Sequence, residues 1–250
     1  MSRMKLAHAL VLAGILVMFA RHAAADPGTS TVPFVGCPGD GQVGPVAPPL
    51  GDPVPVRIDS AIARQLAFYK GDTDPGVFAP KGWHCRLWYG SDGSFIIVTP
   101  SPPAHVFPAR LVSGLGVEIG LSYGGTSGRF EVAKVSARFF PNIMHDFIQD
   151  VREAGLLKDS DFVARPYSHD VVKKINDRMV EFETPANRNG FGTRTFTKSN
   201  QSVRGIVALG LPSNEVNLAT IRVRLSAEQA PLVAAIIKIE ESSLVGTALN

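Results

Sequence analysis

Near its C-terminal end the chain alternates without a break through ATIRVRL. Ala219, Ile221, Val223 and Leu225 fall on one side, and Thr220, Arg222 and Arg224 fall on the other. A period of two is that of a β-strand, and the pattern predicts an apolar face inward with Thr220, Arg222 and Arg224 in water. Three more strands are predicted at LGVEIGLS (115–122), MVEFET (179–184) and SVRGIVAL (202–209), from their β-branched and apolar content. Residues 79–100 read as a β-hairpin. HCRLWY runs into Gly90-Ser91-Asp92-Gly93 and SFIIVT runs out, with turn residues that supply positive φ and local hydrogen bonds. The hairpin region carries both tryptophans, Trp83 and Trp88, and is the expected nucleus of the core. Strands that follow one another through loops pair antiparallel.

A period near 3.6 appears elsewhere. Asp59 can cap a helix to about Lys70, with Ile62, Leu66 and Tyr69 on one stripe and Gly71 as its end. GDTDPG then makes a turn. GRFEVAKVSARFF fits a helix with Ser127 as N-cap: Glu131, Lys134 and Arg138 share a polar face, and Phe130, Ala133, Ala137 and Phe140 an apolar one. Pro141 breaks it. A second helix is predicted from Asn142 to about Ala154, with Ile143, Phe147 and Val151 as its stripe and Gly155 as its stop. A short helix is expected over 168–176. Pro231 opens a closing helix to about Ser242, with Leu232, Ile236 and Ile239 along one side.

Composition changes the picture at the N-terminus. Arg3 and Lys5 precede a nearly continuous apolar run from Leu6 to Phe19, and Ala23-Ala24-Ala25 precede Asp26. This is the form of a secretory signal peptide cleaved after Ala25, with a run shorter than the ~20 residues of a membrane span. The alternative is an uncleaved signal anchor. Residues 26–58 are rich in Pro and Gly, which exclude a helix or a central strand; they read as an extended strap along the domain. The strap holds Cys37 and the hairpin holds Cys85, the two cysteines of the chain. In an oxidising compartment they predict one disulfide. Two free thiols, or a metal site with His84, are the alternatives, but these residues lack a standard ligand spacing.

The formal net charge is +3, from 25 basic and 22 acidic residues. Arg3, Lys5 and Arg21 lie in the leader, which has no acid, so the mature chain is neutral. Charge therefore gives no support for nucleic acid or an anionic membrane as partner. The expected fold class is α+β: an antiparallel sheet with several packed helices, one disulfide and a Pro/Gly-rich strap. The expected division is residues 1–25 as signal peptide, 26–58 as strap and 59–250 as a single domain.

Gly120-Leu121-Ser122-Tyr123-Gly124 has the G-x-S-x-G form of a nucleophile elbow, after a predicted strand and before a predicted helix. The histidines that follow it are His145 and His169, and three strands and a helix still follow His169. The parallel βα units that precede such a serine are missing, and Gly-Thr-Ser-Gly separates the motif from the helix. Ser122, His145 and His169 are the catalytic candidates. His145, Asp146, Gln149 and Asp150 share one helix at metal-ligand spacing, and equally make a solvated face. Arg222 and Arg224 read either as an anion grip or as a solvated sheet face. No phosphate loop, dinucleotide fingerprint or H-E-x-x-H occurs, and no cofactor or metal is implied. The sequence favours a secreted or periplasmic non-catalytic binding or envelope-associated module, with a protein or small-molecule ligand. A serine hydrolase using Ser122 is the alternative.

Overall fold

The computed structural model of the chain describes residues 28–72, 76–103, 112–210 and 216–247. The leader and the middle of the GDTDPG turn lie outside the described residues. The strap contributes β1 (Thr29–Val32), β2 (Phe34–Gly36), β3 (Gly39–Gly41) and β4 (Val54–Arg57). A one-turn helix α1 (Ser60–Ala63) leads to β5 (Leu66–Lys70) and β6 (Val77–Pro80). The predicted hairpin is β7 (His84–Gly90) and β8 (Gly93–Thr99), followed by β9 (Gly116–Tyr123). Helices α2 (Arg129–Phe139) and α3 (His145–Glu153) come next, then β10 (Val171–Asn176), β11 (Met179–Thr184), β12 (Val203–Gly210), β13 (Asn217–Arg224) and α4 (Ala230–Thr247).

An eight-stranded sheet in the order β10-β11-β12-β13-β9-β8-β7-β3 dominates the molecule. Its neighbours pair antiparallel, except that β3 runs parallel to β7. One face carries Leu87, Ile96, Val98, Val117, Ile119, Ile206, Ala219, Ile221 and Val223. They join one core with Leu232, Ile236 and Ile237 of α4 and with Leu66 and Val77 of a small sheet ordered β2-β5-β6. On the other face Val180, Phe182, Val207, Leu209 and Leu218 meet Val132, Val135 and Ala133 of α2 and Ile148 and Val151 of α3. The result is a mixed, sheet-dominated fold with both faces of the large sheet covered.

Five expectations are corrected. The helix after Asp59 ends within a turn. Asp59 does cap it, accepting from the N–H groups of Ala61 and Ile62 at 2.8 and 3.3 Å, but Leu66–Lys70 is a strand. Pairing with β6 and β2 satisfies its backbone, and the Tyr69 hydroxyl donates to the Pro80 carbonyl at 2.7 Å. Tertiary pairing outweighs the helical stripe. Residues 171–176 likewise form an edge strand against β11, where Val171, Val172 and Ile175 suit the pleat and Lys173 and Lys174 blunt the edge. Helix α2 has Gly128, not Ser127, at its N-cap, without a side-chain cap. Helix α3 begins at His145 because residues 141–144 form a turn after the α2 end. Its buried stripe is Met144, Ile148 and Val151, while Ile143 is 47% exposed. The fifth correction concerns β13: Thr220, Arg222 and Arg224 are buried, not solvated, because the sheet is covered on both faces.

Gly155 terminates α3 with φ +68°, the left-handed conformation glycine adopts at no steric cost. The strap is tied down as expected. It stays on sheet edges, where proline and missing donors are tolerated. Between β2 and β3 it presents buried Cys37, which is disulfide-bonded to Cys85 of β7, the Cα atoms 5.3 Å apart. The bond closes a loop of sequence separation 48. Loops of that size restrict the unfolded chain by about 4 kcal/mol in the chain-entropy model.

Glu240 of α4 is 2% exposed and accepts a hydrogen bond from the Phe78 N–H at 2.7 Å. Burial pushes its carboxyl up to about 8, against the lowering effect of that bond. The folded state therefore holds a proton that the unfolded chain has released, and stability falls as pH rises from about 4.5 to about 8. Two outcomes are expected. Cys37→Ser/Cys85→Ser should lose about 2–5 kcal/mol in a denaturant melt; an unchanged midpoint would remove the bond from the stability account. Glu240→Gln keeps an acceptor for Phe78, so it should leave the melting temperature unchanged near pH 5 and raise it near pH 8. A parallel pH dependence in both proteins would show that Glu240 titrates normally.

Candidate functional site

Glu118, Gly120 and Ser122 lie on one face of β9, as Thr220 and Arg222 do on β13, because alternate residues share a face. Register sets Glu118 opposite Arg222 and Gly120 opposite Thr220. On the other side of β9, Gly120 stands opposite Phe95, which stands opposite Trp88. These rows form the floor of a cavity of about 220 Å³. The tip of the β7–β8 hairpin, with Asp92, walls it on one side. Glu131 of α2 and Arg194 of the loop before β12 wall it on the other.

Glu118 and Arg222 are each 5% exposed and joined by an Arg222 Nη1–Glu118 Oε2 contact of 2.6 Å. Arg222 also donates through Nη1 to Thr220 Oγ1 at 3.3 Å and through Nε to the Phe191 carbonyl at 3.3 Å. Its guanidinium carbon stacks 4.5 Å from the Phe191 ring centroid. A buried ion pair is tolerable only when such additional bonds satisfy both ions. A second pair closes the wall, with Arg194 Nη2 donating to Glu131 Oε2 at 2.9 Å and Nη1 to Oε1. Burial alone would raise the Glu131 carboxyl, but Arg194, with Lys134 and Arg222, outweighs it and holds it below the ordinary carboxylate range. Glu131 is thus an anion at neutral pH.

Gly120 keeps the floor open. A Cβ there would lie 3.0 Å from Thr220 Oγ1 and 3.2 Å from Glu118 Oε1, so any larger side chain occupies the cavity over the ion pair. Trp88 and Phe95 stack with centroids 5.1 Å apart and planes 16° from parallel. Phe95 is half-buried and Trp88 is 2% exposed, and the indole N–H of Trp88 has no hydrogen-bond partner among the described residues.

Ser122 lines this cavity. It sits inside a ladder paired on both sides, with Leu218 and Gly93, not at a turn. The histidines are elsewhere. His145 is exposed at the start of α3, its Nδ1 3.0 Å from Asp146 Oδ1. His169 is exposed in the turn before β10, and among the described residues no histidine lines the cavity. The structure thus does not bring Ser122, His145 and His169 to one place in that lining. Among the described residues no group of three His, Cys, Asp or Glu side chains is arranged to hold a metal ion. Arg224 is buried over the Phe196 ring and donates to the Thr197 carbonyl, and burial lowers its pKa. No family model, characterised protein or solved structure matches this chain.

Glu118 and Arg194 were not singled out by the sequence, and Glu131 entered only as part of the polar face of a helix. One signal for Glu118 was present: a carboxylate in the middle of an apolar strand, GVEIGL, which requires a partner if both faces are buried. Arg194 lies in an irregular Gly-containing loop with no pattern to read. The pairing makes a specific expectation. Arg222→Met should cost about 3–5 kcal/mol, because it strands buried Glu118, whereas Glu118→Leu/Arg222→Met should recover at least half of that loss. Equal loss in single and double variants would show that the pair contributes packing and not charge.

Proposed function

We propose that this protein is an exported, non-catalytic binding module whose ligand is a small polar molecule held in the cavity between the β7–β8 tip, β9 and β13. The observation that carries the reading is the floor. A buried Glu118–Arg222 pair lines the cavity beside side-chain-free Gly120 and the Trp88–Phe95 stack. Proteins place a few fixed polar groups beside aromatic surface in this way to orient small ligands. The intramolecular disulfide and the leader-like segment 1–25 support export to the periplasm or medium. No helix among the described residues is long and apolar enough to cross a membrane.

The hydrolase reading keeps one observation, that Ser122 is at the cavity wall. Activation of a serine needs a base within hydrogen-bond reach and a strained, exposed backbone. Among the described residues neither accompanies Ser122, which lies in a doubly paired strand with no described histidine in the lining. One measurement separates the readings: the intact mass of exported protein treated with a fluorophosphonate. The expected species begins at Asp26 and carries no adduct. An adduct lost in Ser122→Ala would establish the hydrolase, and a mass that retains residues 1–25 would overturn cleavage and export of the mature form.

A further inference from the structure

The cavity's polar groups specify what it can accept, on the reading that it is a ligand site. We propose that its ligand is an uncharged hydroxylated ring: one sugar unit, either free or at the end of a longer glycan. Among the described lining residues an anion finds no uncompensated cation. Both Nη atoms of Arg194 are taken by Glu131, and Arg222 is engaged by Glu118, Thr220 and the Phe191 carbonyl. Among the described residues a cation finds no uncompensated buried anion either, because Glu118 and Glu131 are paired with those same arginines. Asp92 is the remaining carboxylate of the lining, and it is exposed, where a single charge contributes little.

What the cavity does offer is hydrogen bonding of both kinds. Glu118 Oε1 accepts, since the bond to Arg222 uses Oε2. The Thr220 hydroxyl accepts from Arg222 and keeps its own hydrogen to donate. Ser122 adds a hydroxyl at the wall. Sugar hydroxyls and ring oxygen supply both roles at once. The C–H face of a pyranose supplies the apolar surface that half-buried Phe95, backed by Trp88, can stack on. A volume of about 220 Å³ suits a single ring, below the ~300–1,000 Å³ of pockets for drug-sized ligands.

The test titrates the full mature protein with glucose, galactose, mannose and N-acetylglucosamine, with choline, and with acetate and phosphate. Tryptophan fluorescence and calorimetry are read at low and high salt. Sedimentation with insoluble cellulose and chitin runs in parallel. The expected result is saturable, salt-insensitive binding of at least one sugar or of one insoluble glycan. Phe95→Leu should weaken it about tenfold or more, and Gly120→Val should abolish it, with folding of each variant checked by circular dichroism. Binding of the free sugars identifies a monosaccharide ligand; binding of the insoluble glycan alone identifies a chain end. Saturable binding of choline, acetate or phosphate with no sugar or glycan bound would overturn the ligand class and leave the cavity reading standing. Sugar binding undiminished in both folded variants, or no binding of any probe, would overturn both.

Discussion

Glu118 and Arg222 meet at the centre of the large sheet, on its two middle strands. Each ion taken from water costs several kcal/mol, and each is retained only because the partner strand delivers the opposite charge at the right register. A slip of one residue between β9 and β13 would turn the apolar face outward and separate the ions. The pair therefore constrains register from one face, while Ile119, Ile221 and their neighbours constrain it from the other. It also dictates what lies above it. Arg222 needs acceptors beyond one carboxylate oxygen, and the Phe191 carbonyl and ring supply them from the loop before β12.

That loop is held from a distance. Asp170, just before β10, accepts from the Thr184 hydroxyl at 2.6 Å and from the Phe191 N–H at 2.9 Å, and Thr184 in turn accepts from the Gly192 N–H at 2.9 Å. Burial raises the Asp170 pKa, and these bonds only partly offset it. The opposite wall has its own anchor. The strap edge β3 pairs with β7, so that Asp40 lies beside Trp88 in register and 3.5 Å from Arg86. The strap crosses from the small sheet to the large one at Cys37, and the disulfide fixes that crossing. Few of its residues bury apolar surface, so covalent attachment replaces the packing that would otherwise hold it against its ordering entropy.

What was legible in the sequence follows from which forces are local. The hairpin 84–99, strands β9, β11, β12 and β13, helix α2 and the disulfide could be read because alternation, helical period, turn residues and cysteine count are properties of short stretches. Segments 66–70 and 171–176 were misread as helical because nothing within five or six residues reveals a pairing partner. LAFYK becomes a strand between β2 and β6, which come from two other parts of the chain. The polar face of β13 was misread for a related reason. Alternation says that one side differs from the other; it does not say that the polar side faces water when α2 and the Phe191 loop cover it.

The same distinction separates Ser122 from the residues around it. G-x-S-x-G is a local pattern, and its meaning depends on the backbone that carries it. Here Gly120 serves as an absence of side chain above an ion pair, not as a hinge for a strained turn, and the paired ladder on both sides of β9 holds the serine in regular extended geometry. A nucleophile elbow presents its hydroxyl by bending the chain away from the sheet. In this protein the sheet continues to Tyr123, and the hydroxyl stays level with Glu118 and Gly120 along one face. The site's chemistry is accordingly set by the row of residues across four strands, Trp88, Phe95, Gly120 and Thr220, a grouping that no short window of the sequence contains.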